Sequence, residues 1–397
     1  MSIRKYYIYR FFIELMPIYP LYLLMFEVGG LTLGEISLLL AIWSVPAVVM
    51  EIPTGILGDR WSRKMMLLLG QVLKASCYLT WIFADGFVLY ALGFVLWGLG
   101  GAFLSGSEEA LLYDSMKLAG KEDQFDLVLG RGRFLSGIST VLASVIGGYL
   151  GMKYGFTPAL VLSILSVLIG GATVLSMREV NLYKERLIEE KREREERTFY
   201  GAFLFVIKRK EILLYSLLAL LVITTAGILD EYDQLIAESF GLSIALIGNW
   251  TALRFILISL GGILASTIRK GIERLFHQED NMFQVAILCC LAAGALLTAG
   301  LVRTIGAMAL YGLYYLIMAA GDVLHEDYIQ KRIEAEGRST VHSLISLSQN
   351  LYGILCYGLF GLLVTGTDLF GGLAWTGAYI LIWTLILCTL YLRWRKR

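Results

Sequence analysis

The sequence is short of charge. Only 17% of its 397 residues are Asp, Glu, Lys or Arg, where a water-soluble domain carries about 25%, so there are too few charges to clothe a soluble surface. Histidine is scarcer still, with three in all. The run HEDYI at His325 lacks the second histidine of a His-Glu-x-x-His zinc motif. No Gly-rich run ending in Gly-Lys-Ser/Thr and no histidine cluster is present, which removes the usual footholds of a membrane enzyme. The five cysteines, Cys77, Cys289, Cys290, Cys356 and Cys388, all fall in apolar stretches without metal-ligand spacing. They are expected to be packed free thiols, with no metal and no cofactor.

What the chain has is apolar length. Hydrophobic residues make up 57% of it, and a membrane-crossing helix needs about 20 of them in a row. Such stretches recur near 6–26, 36–57, 65–84, 87–113, 131–152 and 156–177, then near 211–235, 243–267, 283–302, 304–328, 339–364 and 371–392. The expected fold is therefore an all-α membrane protein of twelve transmembrane helices. No small-residue cleavage site follows the first span, which Glu14 interrupts, so that span is expected to be retained.

Loop charge gives the topology. With the amino terminus inside, 30 of the 34 basic residues fall in cytoplasmic segments. Lys153 and Arg303 lie in outer loops, and Lys74 and Arg254 lie within spans. By the positive-inside rule both termini are cytoplasmic and the span number is even. The basic residues follow membrane topology, so no nucleic-acid partner is expected. The mixed charges of KERLIEEKREREER mark 178–210 as a solvated linker between six-helix bundles at 1–177 and 211–397. The halves echo each other: an offset of 213 pairs Glu109 with Asp322 and Asp114 with Asp327, as parallel repeats would.

Between the second and third spans stands EIPTGILGDRWSRKMML, Glu51 to Leu67. Here the chain resembles the major facilitator superfamily, whose signature in this loop is Gly-x-x-x-Asp-Arg-x-Gly-Arg-Lys. Gly55, Asp59, Arg60, Arg63 and Lys64 match it, and Ser62 replaces the usual glycine. The resemblance implies two pseudo-symmetric six-helix bundles, alternating access, a monomer, and a latch in this loop. Gly55 permits close helix approach, and Asp59 suits the positive pole of a helix terminus. Two other family patterns are not kept: the fourth span, ALGFVLWGLGG, lacks an arginine before its glycines, and the fifth, SGISTVLASVIGGYLG, keeps Gly137, Gly147 and Gly148 without a Gly-Pro pair. EIPTG together with SGSEEALLYDS resembles a bacterial subgroup that includes drug- or metabolite-exporter-like members.

Ionisable groups at membrane depth are costly and usually face a partner or a wet cavity. The resemblance implies that spans one, four, seven and ten line the cavity, and these carry the acids: Glu14; Glu108, Glu109 and Asp114; Asp230, Glu231 and Asp233; Asp322, Glu326 and Asp327. Asp114 and Asp327 are expected to cap helices or to pair with Lys117 and Lys331. Asp230 and Asp233, three apart, share a helix face and can meet Arg254. Glu14 and one of Asp230, Asp233 or Asp322 are candidate proton carriers, with Arg254 as counter-charge and Glu109 as a further cavity acid. The alternative is a static ion-pair network. Lys74 fits either snorkelling to the surface or a buried pair. Tyr19, Tyr22, Tyr311, Tyr314 and Tyr315 are packing residues or an amphipathic wall. Pro17, Pro20, Pro46 and Pro53 are expected to bend or end the first two helices.

The function this predicts is secondary active transport of a small organic solute across the cytoplasmic membrane, as proton-coupled efflux by an antiporter. Uptake of a metabolite or oxyanion and lipid flipping are the alternatives. Arg254 favours an anionic solute, and the number of acids favours a cationic one unless pairing neutralises them.

Overall fold

The computed structural model describes residues 2–60, 62–105, 107–180, 206–278, 280–332 and 338–395. Within these ranges the side chains of 51, 52, 55, 56, 58–60, 330–332 and 338–343 are not included. The body of the charged linker, 181–205, and the side chains of Gly55, Asp59 and Arg60 in the signature loop thus lie outside the described residues.

Every regular element among the described residues is helical. In chain order these are α1 (Ile3–Glu14), α2 (Tyr22–Val28), α3 (Leu33–Arg60), α4 (Arg63–Ile82), α5 (Phe87–Leu104), α6 (Ser107–Leu118), α7 (Phe125–Tyr154) and α8 (Phe156–Leu175). After the linker come α9 (Lys210–Leu218), α10 (Thr224–Ser239), α11 (Ile244–Phe276), α12 (Asn281–Val302), α13 (Met308–Arg332), α14 (Arg338–Gly366) and α15 (Leu369–Arg395). Among the described residues, eleven segments are long and apolar enough to cross a membrane. The twelfth expected span is the α1–α2 segment, too broken to count as one helix. The chain divides into two compact units, Met1–Ile188 with Leu242–Ala252, and Glu189–Gly241 with Leu253–Arg397.

Three acid-bearing spans are irregular, each close to functional candidates. The first breaks at Leu15, one residue after Glu14, and resumes at Tyr22. Pro17 and Pro20 stand in the break, lacking the N–H groups a continuing helix would need. The backbone groups this frees are met inside the first unit. Ser139 donates to the Phe11 carbonyl at 2.6 Å, Ser166 to that of Phe12 at 2.9 Å, and Ser163 accepts from the Ile18 N–H at 3.2 Å. Non-helical backbone at membrane depth needs such partners, because lipid offers none. Pro46 and Pro53 behave otherwise: both lie inside the unbroken α3, so of the two expected effects, bending or ending, ending does not occur.

The fourth span is interrupted between Leu104 and Ser107, where α5 gives way to α6. Glu108 and Glu109 then fall in the first turn of α6, where a carboxylate complements the positive helix pole. The seventh span joins α9 to α10 through a π-helical turn, Ala219–Ile223. The Thr224 and Thr225 hydroxyls donate to the carbonyls of Ala219 and Leu221 at 3.1 and 2.9 Å. Such turns are rare and cluster at functional sites.

The cysteines are free, and Cys77, Cys289 and Cys356 are buried.

Candidate functional site

The charges form separate clusters, each within one unit. In the second unit Arg254, from α11, is buried to 3% exposure between two acids of α10. Its Nη1 lies 3.2 Å from Asp230 Oδ1, and its Nε lies 3.4 Å from Asp233 Oδ2. Three-residue spacing puts both acids on one face of α10, but their surroundings differ. Asp233 is 1% exposed, while 44% of the Asp230 side chain is open. Arg254 Nη1 also donates to the Asp230 carbonyl at 3.2 Å. Its guanidinium carbon stands 5.3 Å from the centre of the Tyr315 ring, a cation–π distance. Tyr311, Tyr314 and Tyr315 are all buried. The Tyr311 and Tyr315 hydroxyls meet at 2.9 Å, and Tyr314 donates to the Ala226 carbonyl at 2.8 Å. These tyrosines pack behind the arginine and do not form an open wall.

A second cluster in this unit surrounds the π-helical turn. Ala219, Ile223, Asp322, His325, Glu326 and Gln349 border a cavity of about 130 Å³, room for several water molecules. His325 is buried, and its Nε2 lies 2.9 Å from the Tyr215 carbonyl. Asp322 and Glu326, one turn apart on α13, are exposed toward the cavity side. Asp327 meets Arg269 at 3.8 Å. Among the described residues, no group of three or more His, Cys, Asp or Glu side chains has metal-binding geometry.

In the first unit the central charge is Arg10. Its Nη1 lies 3.1 Å from Glu108, and its Nη2 lies 4.0 Å from Glu14. All three are largely or partly buried. Glu109 does not join this cluster and forms an exposed pair with Arg133 at 3.2 Å. The reason is helical: adjacent residues project about 100° apart, so only one of the two glutamates can face Arg10. The i,i+4 spacing of Arg10 and Glu14 was a usable signal for this cluster.

The signature loop also differs from expectation. Arg63 is buried and forms its ion pair with Asp114, and it donates to the Ala110 carbonyl at 2.9 Å. Asp114 thus has Arg63 as an ion-pair partner across 51 residues of chain. Lys64 donates to the carbonyls of Leu175 and Met177 at 2.5 and 2.9 Å, where a cation complements the negative end of α8. Glu179, missed in the sequence, accepts from Ser62 Oγ and from the N–H groups of Arg63 and Lys64. Glu179 and Lys64 thus fasten the start of α4 to the end of α8, and the contacts of Arg63 and Lys64 lie inside the first unit.

Among the described residues Lys74 forms no ion pair. Its ammonium stands 5.6 Å from the centre of the Trp97 ring.

The family model described as Major Facilitator Superfamily matches residues 7–357. Among curated proteins, the uncharacterized MFS-type transporter YxaM of Bacillus subtilis (strain 168) is 21% identical over 353 residues, covering 87% of this chain and 84% of that protein. Among solved structures, the nucleoside transporter NupG superposes with a TM-score of 0.77 at 14% identity, over 98% of this chain and 99% of that one. A bacterial homologue of the human lysosomal transporter Spinster, in an inward-facing and unoccupied conformation, gives 0.74 at 14% identity, over 98% and 95%. At these identities the structures speak for the fold alone.

Proposed function

Since this chain belongs to the Major Facilitator Superfamily, we propose that it is a secondary active transporter exporting a small organic solute in exchange for protons. It works by alternating access in the cytoplasmic membrane, with both termini inside. Transport itself accords with the relatives, which are named as transporters. Coupling rests on one observation: buried Arg254 is shared by a closed acid, Asp233, and an open one, Asp230.

A buried guanidinium needs a permanent counter-charge, and Asp233 supplies it. Asp230 is the carboxylate that water and solute can reach. In general a carboxylate holds its proton less tightly beside a cation and more tightly in an apolar surrounding. A conformational cycle that alternates those surroundings binds and releases one proton per turn. Glu14, half-exposed beside Arg10, is the corresponding candidate in the first unit, and Asp322 lines the cavity at the π-helical turn. Gly55, Asp59 and Arg60 keep the latch role that the loop motif implies. Uptake of a metabolite or oxyanion is the second reading, favoured by the buried cation Arg254 beside an open acid.

The test is proteoliposomes under an imposed pH gradient, with internal pH followed while a solute library is added. The parent should move protons when its solute is present, and Asp230→Asn should move solute without protons or not at all. Reversing the gradient reads the direction. Solute flux without proton flux in the parent would refute coupling.

A further inference from the structure

We propose that the first unit carries a solute-binding surface, an aromatic platform of Trp97 with the Lys74 ammonium over it, and that it selects organic anions bearing a flat ring. This deepens the reading of the chain as a solute transporter and rests on it, but not on proton coupling.

Lys74 sits mid-span in α4, where an ammonium is expensive unless it meets a partner or water. It does not face lipid. The outer face of α4 is marked by the exposed Met65, Val72 and Leu79. One turn to either side of Lys74 stand Gly70 and Tyr78, both buried, so Lys74 projects from the inward face. A side chain at Gly70 would strike Leu104 and the Gly100 carbonyl. The α4 and α5 backbones are thus close there, which brings Lys74 over Trp97 of α5.

The acids of the first unit at this depth are already engaged by arginines. Glu108 and Glu14 meet Arg10, and Asp114 meets Arg63. Lys74 forms no ion pair among the described residues. Glu14 acts on it through space without contact. Arginine is therefore spent on the protein's own carboxylates, while the lysine rests on a ring that attracts it far less than a buried carboxylate would. That leaves the ammonium available to an incoming anion.

The rings around it form a front and a back. Tyr22, Tyr78, Trp81 and Phe94 are buried, and each has its centroid within about 6 Å of that of Trp97. Trp97, Trp43 and Tyr19 are half-open, as is Lys74. The back is a fixed core that holds the Trp97 plane. The front is a surface with rings to stack on and one cation to orient a carboxylate or sulfonate. Recognition of this kind combines apolar burial with a few placed polar groups, and the amphipathic rings suit it.

The experiment uses the full chain in lipid nanodiscs and isothermal titration calorimetry. Three probes share one ring and differ in charge: 2-naphthoate, 2-naphthamide and 2-naphthylmethylamine. The parent should bind 2-naphthoate at least tenfold more tightly than the amide. Lys74→Met should remove that preference, and Lys74→Arg should keep it. Calorimetry reads binding without any proton gradient, so a failure of coupling with binding intact leaves the platform standing. The proposal is overturned if 2-naphthoate does not bind at millimolar concentration, binds no better than the amide, or keeps its preference in Lys74→Met. Preference for the amine assigns the site to Glu14 and overturns it as well. Should Lys74→Met not purify as a single species, Trp97→Leu decides: it must weaken 2-naphthoate at least fivefold, and unchanged binding rejects the platform.

Discussion

Arg254 and Asp233 face each other at 3.4 Å with almost no exposure, and the arginine's second acid, Asp230, is open over 44% of its side chain. The pair and the third residue make different demands. Breaking a buried pair by removing one partner costs about 3–5 kcal/mol, because the other charge stays buried and uncompensated. Asp233→Asn should therefore unfold in detergent at a markedly lower temperature than the parent. Asp233→Asn with Arg254→Met should recover much of that loss, since neither charge remains. Asp230→Asn should unfold close to the parent. Thermal unfolding of the four proteins checks the order, and equal losses for the two single aspartate variants would mean that the acids are interchangeable supports.

The break after Glu14 depends on serines from α7 and α8. Ser139 and Ser166 donate to the carbonyls of Phe11 and Phe12, where the regular helical donors run out, although the Phe12 carbonyl also accepts from the Leu15 N–H at 3.3 Å. Removing one donor from a buried carbonyl costs about 1–3 kcal/mol. Ser139→Ala and Ser166→Ala should each lower stability by about 1 kcal/mol. Ser348→Ala should be near neutral, because Ser348 only bonds the carbonyl one turn behind it on its own helix. Chemical denaturation in mild detergent would separate these cases.

The span layout was legible in the sequence because hydropathy is additive along the chain and needs no partner. The break at Pro17 and Pro20 was legible for the same local reason. Pro46 and Pro53 left bending and ending both open, because a proline removes one N–H without always ending a helix whose neighbours hold it. The pairing of Arg254 with the α10 acids was foreseeable, since only one arginine lies that deep in the second half. Arg10 with Glu108 and Arg63 with Asp114 were not, because they join residues 98 and 51 positions apart. Glu179 was hidden by lying next to the charge-rich linker, where its sign carries no information.

The glycines of the fifth span divide by their surroundings. A Cβ at Gly147 would collide with the Pro17 carbonyl, while one at Gly137 meets nothing within 4 Å. The Pro17 carbonyl belongs to the broken backbone beside Glu14 and cannot retreat without disturbing it. Gly147→Ala should cut the yield of folded protein or the transport rate at least fivefold. Gly137→Ala should match the parent and gain slightly in helix propensity. Size-exclusion profiles and initial transport rates compare the two.

The start of α4 combines a buried pair with a cap, and the two should fail differently. Asp114 is 2% exposed at its side chain and meets Arg63, itself 8% exposed. Glu179 accepts from the first two N–H groups of α4, and the Ser62 hydroxyl accepts from Met65 at 3.1 Å. A helix start leaves four N–H groups without partners, and losing a capping acceptor costs about 0.5–2 kcal/mol. Glu179→Ala should therefore destabilise by about 1 kcal/mol, with some of the loss made good by water at the half-exposed helix end. Asp114→Ala leaves a buried guanidinium with only the Ala110 carbonyl, so its loss should be several times larger. Limited proteolysis reads the same contrast by position: cleavage near the α3–α4 turn should rise in Glu179→Ala, while Asp114→Ala should also open sites in α6. If Glu179→Ala proves the more damaging change, the α4–α8 fastening matters more to this unit than its buried ion pair.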